Sequence, residues 1–288
     1  MIPRTICTIL STNYSGSHFL SLTLGSHSQA CHIGEIAHLR RSHDSARTVC
    51  ASCDPQESCP LIRGISPDTI QDVYEIIFAN LGDPATRILV DASKKVHWAH
   101  NYCREERYRM RYVHLIRDPR ALARRWLLTY ESRKDRYHVR FKTARRHGPR
   151  FLPVLLSPAV RLYTYKWLYQ NRKITEFLRS ADLESTVVTY RDMALEPQKT
   201  TKHIMEWLGV PFEPGQLEYW NFPHHGSQKQ DYDWVKKQKT RYFDVRWKEL
   251  FTTKQMEFIV NTPRVGDYLR ELNLEFTDDG LRSRRLNR

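Results

Sequence analysis

An α/β fold of three layers, helices on both faces of a mostly parallel central sheet, is what this 288-residue sequence predicts. Three segments carry that expectation, each an apolar strand, a short polar loop and then a helix. Residues 5–10 form the first strand, the loop runs from Ser11 to Gly16 by way of Thr12, Asn13, Tyr14 and Ser15, and residues 17–24 turn Phe19, Leu20 and Leu24 inward. Residues 87–90 form the second strand and run into Asp91-Ala92-Ser93-Lys94, after which residues 96–107 read as helix. The third is YVHLIRDPRALARRW, residues 112–126, with Val113, Leu115 and Ile116 as buried strand, Asp118 and Pro119 opening a helix, and residues 121–128 as its body.

The remaining elements fall between and after these units. Residues 29–33 give a short strand ahead of Gly34-Glu35, and residues 42–64 are polar, contain Cys and Pro, and read as an irregular insert. Pro67 precedes an amphipathic helix with Ile70, Val73, Ile76, Ile77 and Leu81 on one face. Residues 157–178 form a long helix whose stripe of Tyr163, Tyr165, Trp167 and Tyr169 is read as packing, and residues 186–190 form the next strand. Pro197 starts a helix carrying Ile204, Trp207 and Leu208 that Gly209 closes. Helical pieces follow at 247–250 and 254–260, and residues 277–288 read as a basic tail. One domain over 1–288, with the insert at about 42–64, is the expected organisation.

A hydrophobic content of 40% suffices for a core, and no apolar run reaches the 18 residues of a membrane span. Residue 1 leads directly to a strand without the zones of a signal peptide, so a cytoplasmic protein is expected. The net charge is +14, and residues 104–150 hold 16 Lys and Arg against 5 Asp and Glu, a surplus of 11. Such a block attracts anions: a nucleotide, a sulfated or phosphorylated polymer, or nucleic acid. For residues 133–150 a solvated basic face is an equal reading.

Cys50, Cys53 and Cys59 cluster within the insert, whereas Cys7, Cys31 and Cys103 are scattered. A structural zinc site that Cys103 or a histidine completes, a disulfide, and plain reduced thiols are the three readings.

Two loops have the chemistry of an anion site. In the first, Gly16 permits close backbone approach, Ser15 and Ser17 offer hydroxyls, and the helix behind presents unpaired amides. It lacks the Gly-x-x-x-x-Gly-Lys-Ser/Thr pattern of nucleotide triphosphatases. In the second, Arg117 projects its fork at the carboxyl end of a strand, where α/β proteins bind ligands.

Taken with their order along the chain, these segments resemble the sulfotransferases that use 3′-phosphoadenosine 5′-phosphosulfate (PAPS). Tyr14-Ser15-Gly16-Ser17-His18 occupies the place of that family's Arg/Lys-Ser-Gly-Ser/Thr-Thr loop, and Arg117-Asp118-Pro119-Arg120-Ala121 matches its Arg-Asp-Pro-Arg-Ala. A bacterial-type branch is further suggested by Gly34-Glu35, by the Cys50, Cys53, Cys59-Pro60 insert, and by Asp91-Ala92-Ser93-Lys94, similar to its Asp-Ser-Ser-Lys turn. Tyr190-Arg191-Asp192-Met193, Pro197, Trp207-Leu208-Gly209, His225-Gly226-Ser227 and the pair Asp244 and Trp247 resemble later elements of the family, so the likeness runs from residue 5 to about 272.

The resemblance implies a P-loop-like sulfotransferase fold with the 5′-phosphosulfate held by Tyr14, Ser15, Gly16, Ser17, His18 and Phe19, and the 3′-phosphate by Arg117. It implies Glu35 as general base for an acceptor hydroxyl or amine on a small molecule or glycan, with no membrane span and nucleic acid an unfavoured partner. Two positions depart from the family: Tyr14 stands where a basic residue is expected, and Arg125 where a serine is expected. Lys94, with His18 second, is the candidate for the missing cation, and Arg125 would add a guanidinium to the 3′-phosphate site. The rival readings are another phosphate-handling enzyme such as a kinase, and a protein that binds nucleotide or polyanion without catalysis.

Overall fold

A computed structural model describes residues 3–41, 53, 59–225 and 243–284. Five strands, β1 (Thr5–Ser11), β2 (Ala30–His32), β3 (Ile88–Lys94), β4 (Arg109–Ile116) and β5 (Ser185–Thr189), form a sheet of order β2-β3-β1-β4-β5. Every neighbouring pair is parallel, as expected. β1 lies at the centre and is buried at all seven positions, which is why its sequence is apolar or small throughout.

The helices in chain order are α1 (Ser17–Gly25), α2 (Val73–Leu81), α3 (Val96–Tyr102), α4 (Pro119–Thr129), α5 (Arg133–His147), α6 (Leu152–Leu155), α7 (Ala159–Ser180), α8 (Tyr190–Leu195) and α9 (Pro197–Leu208), followed by α10 (Trp247–Leu250), α11 (Thr253–Val260) and α12 (Pro263–Glu271). Alternate strand residues sort them into layers. Cys7, Ile9, Val90, Val113, Leu115 and Val188 pack on one face against α1 and α9 through Leu20, Leu24, Ile204 and Leu208. On the other face Ile6 and Leu89 meet α2 and α3, while Leu10 and Tyr112 meet α7. The result is the expected helix, sheet, helix sandwich.

Several elements differ from expectation for local reasons. β3 continues through Asp91, Ala92 and Ser93 to Lys94, which pairs with Leu10 of β1, so this segment is strand and not turn. α3 stops at Tyr102 short of residue 107, where the Glu105 side chain accepts from the Arg107 backbone N–H and diverts it from a helical partner. The helix after Pro67 begins at Val73, preceded by a 3₁₀ turn at Ile70–Asp72. Residues 133–147, read only as a basic face, form α5, whose N-cap Ser132 accepts from the Asp135 N–H. The expected tail is in part a hairpin: β6 (Leu274–Phe276) pairs antiparallel with β7 (Leu281–Ser283). Of the insert, residues 42–52 and 54–58 lie outside the described residues, as do 226–242 and 285–288. Among the described residues no helix is long and apolar enough to cross a membrane.

Candidate functional site

β1 and β4 are neighbours, but the chain leaving β1 passes to the β2 side of the sheet and the chain leaving β4 passes to β5. Such a divergence opens a crevice at the carboxyl ends of the two strands. The two loops singled out in the sequence as candidate anion sites line it. The Arg117 guanidinium donates from Nη1 to the Tyr14 carbonyl oxygen at 2.8 Å, joining the second loop to the first. Its Nη2 donates to Asp244 Oδ2 at 3.1 Å, and its Nε is buried with no partner among the described residues. The planar group lies on the Tyr190 ring, 4.3 Å from the centroid, and the Arg117 backbone carbonyl accepts from Trp167 Nε1 at 2.8 Å. Burial opposes ionisation of Asp244, but hydrogen bonding from Arg246 and the charge of Arg117 hold its carboxyl below the ordinary value.

The first loop is shaped by two left-handed residues, Tyr14 at φ +70° and Gly16 at φ +95°. Thr12 and Ser15 share a buried hydroxyl hydrogen bond of 2.7 Å, and Gly16 caps α1 without a side-chain hydrogen bond. The amides of Ser17, His18 and Phe19 thus face the crevice at a helix N-terminus with no acidic residue in its first turn, the arrangement that binds an anionic group. The Phe19 ring itself belongs to the core, edge-on to Tyr219 at 5.8 Å, so only its backbone is available there.

The two departures from the family pattern touch each other. The guanidinium of Arg125, on α4, sits over the Tyr14 ring at 4.7 Å from its centroid. A cation therefore stands beside position 14 although the residue at 14 is uncharged. The motif's other arginine, Arg120, is structural: it pairs twice with Asp118, at 3.0 and 2.8 Å, and lies 4.0 Å over the Trp247 ring. Asp244 and Trp247 are thus each matched to one arginine of the second loop, Asp244 to Arg117 and Trp247 to Arg120.

On the other side of the first loop, Glu35 is 6% exposed and held by three cationic or imidazole groups. His18 Nε2 lies 3.0 Å from its Oε1, His38 Nε2 3.0 Å from its Oε2, and the Lys94 ammonium donates to Oε1. Lys94 reaches it from a left-handed backbone, φ +65°, at the end of β3. Burial disfavours the Glu35 carboxylate, yet the hydrogen bonds from His18 and His38 and the charge of Lys94 outweigh it and hold the group well below the carboxylate range. His38 was not foreseen; its spacing of three from Glu35 in the 3₁₀ turn Ile36–Arg41, where such residues eclipse, was the available signal. Below this cluster Asp91 is fully buried, accepting from Tyr74 Oη, Trp98 Nε1 and the Ser93 N–H, while Ser93 Oγ accepts from the Ala37 N–H; Ser93 therefore positions the loop.

A cavity of about 460 Å³ opens beside the first loop, between Ser11, Thr12 and Asn13, the end of β3, and helices α4, α5 and α7. Among the described residues Lys94, Lys95, Lys142, Lys166 and Lys173 line it and no carboxylate does. Apart from Lys94 these were not singled out in the sequence, since they come from segments far apart along the chain.

Of the cysteines, Cys103 does not join Cys53 and Cys59: it lies at the end of α3, its thiol donating to the His100 carbonyl, beside the cluster of Ala99, Tyr112 and Ile174. Cys50 lies outside the described residues. His225 takes the place expected of Cys103, its Nδ1 standing near both Cys53 and Cys59.

No family model matches the chain, and no curated protein matches it. Solved structures similar to it include the sulfotransferase domain from the curacin biosynthetic pathway, 20% identical over 88% of this chain and 98% of that one, with a TM-score of 0.47. A sulfotransferase from Alicyclobacillus acidocaldarius is 15% identical over 95% and 97%, TM-score 0.47, and a mouse sulfotransferase complexed with PAP 13% identical over 93% and 89%, TM-score 0.42. Each of these structures is a sulfotransferase, and the chain is similar to them in structure.

Proposed function

We propose that the protein is a PAPS-dependent sulfotransferase acting on a hydroxyl or amine. The observation that supports it is the meeting of the two loops: an uncapped helix N-terminus and the fork of Arg117 open onto one crevice, joined by the bond from Arg117 to the Tyr14 carbonyl. The amides of Ser17 to Phe19 with the Ser15 and Ser17 hydroxyls suit the phosphosulfate end, and Arg117, whose Nε has a buried unmet donor, suits the 3′-phosphate. Bound there, PAPS would supply the sulfuryl group and leave as adenosine 3′,5′-bisphosphate.

The chain's own residues divide the remaining work. Arg125, beside Tyr14, stands where it can offset charge at the phosphosulfate end in place of the basic residue missing from the loop, and Lys94 offers a second cation from the far side. Glu35 is the proposed general base. Clamped as it is by His18, His38 and Lys94, its carboxylate has little affinity for a proton. Lys94 and His18 turning toward the incoming sulfuryl oxygens would release it, so that basicity rises only when the site is filled.

Adenosine 3′,5′-bisphosphate should raise the melting temperature where ATP does not, and Arg117→Ala should abolish that rise. Glu35→Gln should keep the rise while transfer of labelled sulfate falls by about 10²-fold or more. A rise with ATP alone would favour a kinase, and full transfer by Glu35→Gln would remove Glu35 as the base.

A further inference from the structure

We propose that Cys53, Cys59 and His225 bind a zinc ion. Cys53 Sγ lies 3.6 Å and Cys59 Sγ 3.5 Å from the same atom, His225 Nδ1, and all three ligand atoms fall within 4.8 Å of one another. With Zn–S of about 2.3 Å and Zn–N of about 2.0–2.1 Å, a tetrahedral ion separates a sulfur from a nitrogen by about 3.5–3.6 Å. Hydrogen bonding alone accounts for this poorly, because one ring nitrogen cannot accept from two thiols at full strength. The residues come from two distant segments, with His225 lying 172 and 166 positions from the two cysteines. The ion would therefore tie the insert to the chain that carries buried His224 beneath α1. Cys59 is itself rigidly placed, capping the turn Pro60–Ile62 against the core of Ile36, Leu39 and Leu61.

The test is metal content. The purified full chain should carry about one zinc per chain, the stoichiometry of one such site. It should lose the metal in Cys59→Ser and His225→Ala and keep it in Cys103→Ser. Should the variants not fold, cobalt substitution of the wild type decides: a tetrahedral spectrum with thiolate charge-transfer bands supports the site. Chelation should lower the melting temperature. A metal-free chain with readily titrating thiols at Cys53 and Cys59, a disulfide between them, or octahedral cobalt without sulfur bands would overturn the proposal.

Discussion

Gly16 shows how narrowly the site is set at a single residue. Its backbone is left-handed at φ +95°, and a Cβ placed there would stand 2.6 Å from Cδ2 and 3.0 Å from Cε2 of Tyr190. That ring is the platform under the Arg117 guanidinium and is itself stacked on Phe243 at 6.1 Å. Gly16→Ala should therefore do two things: strain the loop by about 1–2 kcal/mol, and push Tyr190 away from Arg117. The expected result is a lower melting temperature together with at least about tenfold weaker binding of adenosine 3′,5′-bisphosphate, since one strong charged contact is worth that much. Gly82→Ala is the comparison. Gly82 has a similar φ of +63° but nothing within 4 Å of its would-be Cβ, so it should show the backbone cost and leave binding alone. Equal binding by the two variants would mean that the Tyr190 platform does not position Arg117. The same scale shows what one residue can reveal in advance. Arg117 and Gly16 were readable because each sits inside a local pattern, strand then loop then helix. The clamp on Glu35 was not, because His38 and Lys94 arrive from a 3₁₀ turn and from a strand end whose left-handed backbone no residue pattern announces.

At the scale of elements, legibility followed burial. β1, β3 and β4 were apparent because their buried stretches carry short apolar runs, Ile9-Leu10, Ile88 to Val90 and Leu115-Ile116, the edge strand β5 because of Val187-Val188, and α9 because its apolar stripe ends in Gly209 with φ +91°. α5 escaped notice because its 15 residues are mostly charged or polar; Val139, Thr143 and the Ser132 cap hold it, a thin signal beside nine Lys, Arg and His. The C-terminal hairpin escaped notice for a different reason. β7 is three residues long and owes its place to contacts that cross the chain: the Ser283 N–H donates to Asp192, and Asp279 pairs with Arg191. Those contacts explain the second half of the motif at 190–193, whose Tyr190 serves the crevice while Arg191 and Asp192 fasten the hairpin. Cys103 illustrates the opposite error. Spacing in sequence left it available to the metal cluster, yet it lies at the end of α3 with its thiol on the His100 carbonyl, beside Ala99, Tyr112 and Ile174, while Cys53 and Cys59 pack in a different cluster.

Whole-molecule stability brings together the sheet and its long helix at His114. This imidazole lies fully buried in β4, its Nε2 3.2 Å from Asn171 Oδ1, and Asn171 in turn donates to the Trp167 carbonyl one turn earlier in α7. Burial disfavours the charged ring more than the Asn171 contact favours it, and the group is pushed down from 6.5 to about 4. The folded protein therefore keeps His114 neutral well below the pH at which the unfolded chain protonates it. Between about 6.5 and about 4 the unfolded state binds the extra proton, so stability falls as the pH is lowered through that window. The loss attributable to this residue is on the order of 3 kcal/mol, from about 1.4 kcal/mol for each unit of separation. Carboxylates such as Glu35, whose folded value is depressed, add their own loss nearer the acid end, and the growing positive charge of a chain already at +14 adds repulsion. His114→Gln removes only the imidazole's part, because the glutamine amide can still donate to Asn171 without titrating. Denaturant unfolding of both proteins from pH 7.5 to 4.5, a window of about three units around the ordinary histidine value, should give converging stabilities, with the wild type falling more steeply. Parallel curves would show that the buried ring is protonated without cost, and that the contact between β4 and α7 is looser than its geometry implies.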